Sequence, residues 1–212
     1  MLFVEHTTNM NTSTFSRHPS IDLIIGPMYA SKSLELIRRL SVFAHMGLRT
    51  LYVNHVIDIR SNEDFSSHSN IAALPIGVES LKCASLSEIP VSRFDVIGID
   101  EAQFFTGLYD FCTTTVDTHG IKLVVAGLSG DSNQRPFGEI LDLIPECDEL
   151  TKLYAYCTKC IKNNRVTPAI FTVRLVECDE DFYVGGENDY ASVCRLCKNE
   201  YQKMIKRRKT GQ

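Results

Sequence analysis

The stretch that decides the fold is DLIIGPMYASKSLELIRRL, residues 22–40. A short apolar run (Leu23, Ile24, Ile25) meets Gly26, passes through a tight turn and reaches Lys32-Ser33. The next segment is amphipathic, with Leu34, Ile37 and Leu40 on one helical face and Glu35, Arg38 and Arg39 on the other. Strand, loop and helix in that order are the setting of a phosphate-binding loop, G-x-x-x-x-G-K-[ST]. In that reading Gly26, Pro27, Met28, Tyr29, Ala30 and Ser31 form the loop. Its N–H groups would wrap the phosphates of a nucleotide at a helix N-terminus, where the dipole favours negative charge. Lys32 would reach the β- and γ-phosphates, and the Ser33 hydroxyl would bind Mg²⁺. Ser31 stands where the pattern has glycine, and a serine held at positive φ costs about 1–2 kcal/mol. The same residues also read as a strand-turn-helix that binds nothing, and the rest of the chain has to choose.

A chain of 212 residues is long enough for one α/β core with a small appendage. With 44% hydrophobic and 23% charged residues it has the make-up of a soluble globular protein. Its net charge of −4 argues against a dedicated nucleic-acid binder. No apolar run approaches the ~18 residues of a membrane span. Residues 1–19, rich in Thr, Ser, Asn and His, lack the apolar core of a signal peptide. The expectation is a flexible N-terminal tail on a cytoplasmic protein.

Residues 50–53 (TLYV) predict a second strand. The polar stretch 54–70 has neither helical nor strand period and reads as a loop or as a lid beside the first site, with Asp58, Arg60 and His68 its reactive members. FDVIGIDE, residues 94–101, is an apolar strand ending in two carboxylates. Strand ends of this kind place a second, Mg²⁺-organising acid beside a lysine loop. Asp100 fits that role and Glu101 could act on a nearby hydroxyl, although acids capping a helix N-terminus would look the same. Gln103, Phe104 and Phe105 follow, then a helix through Tyr109 and Phe111 and a strand over 121–126. Residues 140–145 predict a short amphipathic helix. Repeated β–α units imply a mostly parallel, helix-covered α/β sheet.

The last quarter changes character. Cys157-x-x-Cys160 and Cys194-x-x-Cys197 are two knuckles separated by 33 residues, a pattern that makes a tetrahedral four-sulfur site for zinc or, less often, iron. With four protein ligands no position is left for a reacting water, so the role is structural. Cys83, Cys112, Cys147 and Cys178 lack such spacing and read as buried or idle thiols. Between the knuckles, residues 170–183 alternate as a β-hairpin and Gly185-Gly186 permit a reversal. The boundaries drawn along the chain are a tail over 1–19, a P-loop domain over 20–152, a zinc-binding domain over 153–205 and a basic tail over 206–212.

GPMYASKS, DIR (58–60), IDEAQFF (99–105), RPFG (135–138), FTVRL (171–175) and GGENDYASVCRLC (185–197) occur in the order and spacing of the type II, zinc-containing thymidine kinases, which the chain resembles from about residue 21 to residue 203. The resemblance implies a P-loop α/β fold with a small zinc-ribbon-like lasso. It also implies transfer of the γ-phosphate of ATP, with Mg²⁺, to the 5′-hydroxyl of thymidine, giving dTMP for salvage. The family's base falls on Glu101, and its ATP and Mg²⁺ contacts fall on residues 26–33, Asp58, Arg60, Asp100 and Gln103. The nucleoside pocket falls on Met28, Phe104, Leu128, Phe137, Thr172 and Tyr190, with backbone groups of Tyr183, Val184, Gly185 and Gly186 facing the thymine edge. The family forms tetramers. Besides Ser31, the chain departs from the family at Ser132, where an ungapped match expects a phenylalanine. The alternative is a degenerate member that binds nucleotide or a partner without turnover. The joint retention of Lys32, Ser33, Asp58, Asp100 and Glu101 opposes it. A zinc-ribbon module for nucleic acid is opposed by the few basic residues between the knuckles.

Overall fold

The apolar runs of the sequence become the inner strands of one sheet, described here from a computed structural model that covers residues 18–58, 74–176, 185–186 and 188–210. The expected tail up to residue 17, and Arg60, His68, Cys178, Tyr183 and Val184, lie outside the described residues. The strands are β1 (Ser20–Gly26), β2 (Thr50–His55), β3 (Val78–Cys83), β4 (Val96–Ile99), β5 (Lys122–Leu128) and β6 (Glu149–Lys152). They pair in the order β3-β2-β4-β5-β1-β6, every pair parallel.

Alternation along the strands assigns the two faces. Ile24, Tyr52, Val96, Val124 and Ala126 point to one side, where helix α1 (Lys32–His45) lays Leu36, Ile37 and Leu40 on them. Leu34, expected on that stripe, is 41% exposed, and Leu36 takes its place. Leu23, Ile25, Ile97, Ile99, Leu123 and Val125 point to the other side. There they meet Leu108 and Cys112 of helix α2 (Leu108–His119), together with Ile140 and Leu143. Residues 140–146 form a 3₁₀ helix containing Pro145. Proline has no N–H to give to a longer helical ladder.

Beyond β6 the chain builds a small lobe. Strands β7 (Ala155–Tyr156) and β8 (Pro168–Ala169) pair antiparallel around helix α3 (Thr158–Ile161). Strand β9 (Phe171–Arg174) pairs antiparallel with β10 (Tyr190–Val193), and the second half of the hairpin expected within 170–183 lies outside the described residues. The chain ends in helix α4 (Arg195–Thr210), which runs through the start of the expected basic tail. Ala30 of the loop after β1 is buried in the core of this lobe, with Tyr29 packed against it.

Gly98 marks where α1 presses on the sheet. A Cβ there would stand 2.6 Å from Leu40 Cδ1 and 3.0 Å from Leu36 Cδ1. Gly98→Ala should therefore lower stability by about 1–3 kcal/mol through overpacking. A reduced urea midpoint at unchanged slope is expected, and an unchanged midpoint would contradict this packing.

Candidate active site

The carboxyl ends of the parallel strands converge on the loop between β1 and α1, the place where open α/β sheets bind ligands. Two of its non-glycine residues, Tyr29 (φ 62°) and Ser31 (φ 60°), have left-handed backbones. Ser31 thus adopts the conformation that the missing glycine would have supplied. Its carbonyl accepts the Glu35 N–H and starts α1. Lys32 is buried and curls back over the loop, its Nζ donating to the Pro27 carbonyl at 2.9 Å. The fourteen-residue α1 adds the positive end of its dipole at the same place.

The Ser33 side chain lies by the buried Asp100 carboxylate and favours its charged form. Asp100 accepts from Tyr52 OH at 2.8 Å and from the Glu101 N–H at 2.9 Å. Burial, then the neighbouring Glu101 charge, push its carboxyl up to about 6 against these hydrogen bonds. The same burial, with the charges of Asp100, Glu101 and Asp58, holds the Tyr52 phenol well above its ordinary range, so it remains a donor. Asp58 is buried with them: it accepts from Asn54 Nδ2 at 3.2 Å, and its carbonyl accepts from Lys82 Nζ at 2.8 Å. Asp58, Asp100 and Glu101 all act on the Tyr52 phenol, and carboxylate oxygens are the donors that a hard cation such as Mg²⁺ takes beside phosphate.

Glu101 turns through a left-handed backbone (φ 48°) at the end of β4, and its side chain accepts from Gln103 Nε2 at 2.6 Å. Gln103 is buried, and its Oε1 takes the Leu128 N–H at 2.9 Å. Its amide is therefore engaged by Glu101 and by the end of β5. Gly127 and Gly138 make room for it, since a Cβ would lie 2.6 Å from Gln103 Oε1 at the first and 2.3 Å from the Gln103 carbonyl at the second.

Of the expected nucleoside pocket, Phe104 and Phe137 meet edge to face at 5.5 Å. Thr172 Oγ1 accepts the Met28 N–H at 2.9 Å. Leu128 adjoins through Gln103, and Tyr190 lies on β10 on the same strand face as Ser192. Gly185 and Gly186 are described, with Gly186 N–H on the Asp189 carboxylate at 3.0 Å. Ser132 belongs to a loop whose Gln134 amide donates to the carbonyls of Ser132 and Thr172. Sequence reasoning missed Tyr52, Asn54, His55, Gln134 and Ser192. The first three were within reach, since they close β2 at the carboxyl edge, where His55 packs against Phe105 at 4.7 Å.

Cys157, Cys160, Cys194 and Cys197 are all buried, with their sulfurs within 4.8 Å of one another. Cys160 Sγ lies 3.8 Å from those of both Cys194 and Cys197. A tetrahedron of ~2.3 Å metal–sulfur bonds has edges of about 3.8 Å, so the four thiolates fit a zinc ion. No other group of metal-ligating residues occurs among the described residues.

The family described as "Thymidine kinase" matches residues 19–198. The chain is 35% identical over 193 residues to "Thymidine kinase" of Choristoneura biennis entomopoxvirus, covering 85% of this chain and 97% of that one. It is 39% identical over 178 residues to "Thymidine kinase" of Rabbit fibroma virus (84% and 94%) and 34% identical over 179 residues to human "Thymidine kinase, cytosolic" (84% and 72%).

The Ser31 side chain makes no capping hydrogen bond. Ser31→Gly removes left-handed strain and should add about 0.5–1 kcal/mol net of glycine's chain entropy. Calorimetry should show a midpoint higher by a few degrees. A lower midpoint would contradict the strain.

Proposed function

The chain belongs to the thymidine kinase family, and from that premise we propose that it transfers the γ-phosphoryl group of ATP to the 5′-hydroxyl of thymidine, yielding dTMP and ADP. The observation that carries this reading is the meeting of the lysine loop, with Lys32 curled over Pro27 and Ser33 by Asp100, and the strand end where the buried Asp100 holds the Tyr52 hydroxyl and the Glu101 N–H. Phosphoryl transfer is mostly positioning and charge neutralisation, and each part has an owner here. Loop N–H groups and Lys32 bind the phosphates. Ser33 and Asp100 would hold Mg²⁺, and by the family resemblance Asp58 and Arg60 would supply further Mg²⁺ and phosphate contacts, the Arg60 guanidinium to phosphate. When bound, Mg²⁺ supplies neutralisation of charge on the β- and γ-phosphate oxygens.

Glu101 takes the proton of the 5′-hydroxyl as the O5′–Pγ bond forms and the Pγ–O bond to the β-phosphate breaks. Gln103 donates to one Glu101 oxygen and so orients the carboxylate. Met28, Phe104, Leu128, Phe137, Thr172 and Tyr190 line the base pocket, and the backbone of residues 183–186 reads the thymine edge. We assign a structural zinc to the four cysteines, in a lobe over 153–205 following a kinase unit over 20–152. A homotetramer in the cytoplasm completes the reading; no helix among the described residues is long and apolar enough to cross a membrane.

The test is Mg²⁺- and ATP-dependent phosphorylation of thymidine by the zinc-loaded protein. Glu101→Gln should lower kcat by about 10²–10⁴-fold with thymidine still bound, and Lys32→Ala should abolish turnover. Absence of turnover with every deoxynucleoside, in folded and zinc-loaded protein, would leave a binder that has lost its chemistry.

A further inference from the structure

In the register of β9 and β10, Thr172 stands directly opposite Ser192, so their side chains share one face of the pair. Both residues are buried, and both hydroxyls close on the same residue of the phosphate loop. Thr172 Oγ1 accepts the Met28 N–H at 2.9 Å, and Ser192 Oγ donates to the Met28 carbonyl at 2.5 Å. The next residues, Tyr29 and Ala30, sink into the lobe core among Cys157, Cys160, Cys194 and Cys197. On the other side, a Cβ on Gly26 would stand 2.8 Å from the carbonyl of Leu153, the residue just after β6. The lobe is fastened to itself at the same point, since Thr158, next to Cys157, donates to the Ser192 carbonyl at 3.3 Å.

A loop with left-handed Tyr29 and Ser31 keeps that shape only where its surroundings hold it. We infer that Thr172 and Ser192 are positioning residues for the nucleotide: by fixing the Met28 backbone they aim the N–H groups of the phosphate loop, so the cysteine lobe sets ATP affinity as well as closing over the nucleoside. The inference rests on the kinase reading above. Neither hydroxyl touches the phosphates; both act through Met28.

The experiment measures equilibrium binding of the Mg²⁺ complex of adenylyl imidodiphosphate, a non-hydrolysable ATP analogue, to the full zinc-loaded chain. Zinc content and the melting curve are recorded for each variant. Ser192→Ala and Thr172→Val should each weaken binding by about 5- to 30-fold while retaining one zinc per chain. Thr172→Ser keeps the hydroxyl and should restore affinity to within about threefold of the parent. The double variant should lose less than the product of the two, because both hydroxyls hold the same residue. Analogue affinity within twofold of the parent in folded, zinc-loaded Ser192→Ala would overturn the inference. If Ser192→Ala does not fold, the Thr172→Val and Thr172→Ser pair decides by the same criterion. A parent that binds no analogue at all overturns the kinase reading itself, an outcome separable from the variants' behaviour.

Discussion

The N–H of Met28 ends on the Thr172 hydroxyl and its carbonyl on the Ser192 hydroxyl, so one residue of the phosphate loop is held between two strands that lie 144 and 164 residues further along the chain. The magnitudes explain why this matters. Each hydrogen bond contributes about 0.5–1.5 kcal/mol net, and each left-handed non-glycine residue costs about 1–2 kcal/mol. Two hydrogen bonds and the burial of Ala30 are thus of the size needed to offset the strain at Tyr29 and Ser31. Loop and lobe form one mechanical unit, and the four cysteines that organise the lobe bear on the loop's geometry.

The acidic side of the site is held by the sheet instead. Gly98 lets α1 lie close on β4, which carries Ser33 toward Asp100 at the end of the same strand. Gln103 is wedged between the Leu128 N–H and the space cleared by Gly127 and Gly138, and from there it orients Glu101. The loop proposed to bind phosphate and the carboxylate proposed as the base therefore have independent supports. Such a division suits a reaction in which most of the rate comes from alignment.

How much of this the sequence disclosed follows the range of each signal. The strand-loop-helix of residues 22–40, the carboxylates closing residues 94–101 and the paired knuckles are short, local patterns, and all appear as read. Strand β3 escaped because it is an edge strand whose half-exposed VESLKC lacks a sustained apolar run. The pairing of β9 with residues 190–193 was not foreseen, because alternation within 170–183 carries no information about a strand further along the chain. Leu34 and Leu36 are both leucines on one helix, and only the sheet beneath decides which is buried. Ser192 left no local trace, since a serine two residues before a cysteine becomes significant only when Met28 is folded against it.

The claim that the cysteine lobe holds the phosphate loop is tested most directly by hydrogen–deuterium exchange of the intact chain, before and after zinc is removed by a chelator. The account predicts that loop peptides spanning residues 26–33, the Met28 amide above all, lose protection together with β9 and β10, while β4 and β5 keep theirs. Exchange in residues 26–33 that stays unchanged while the lobe opens would contradict it.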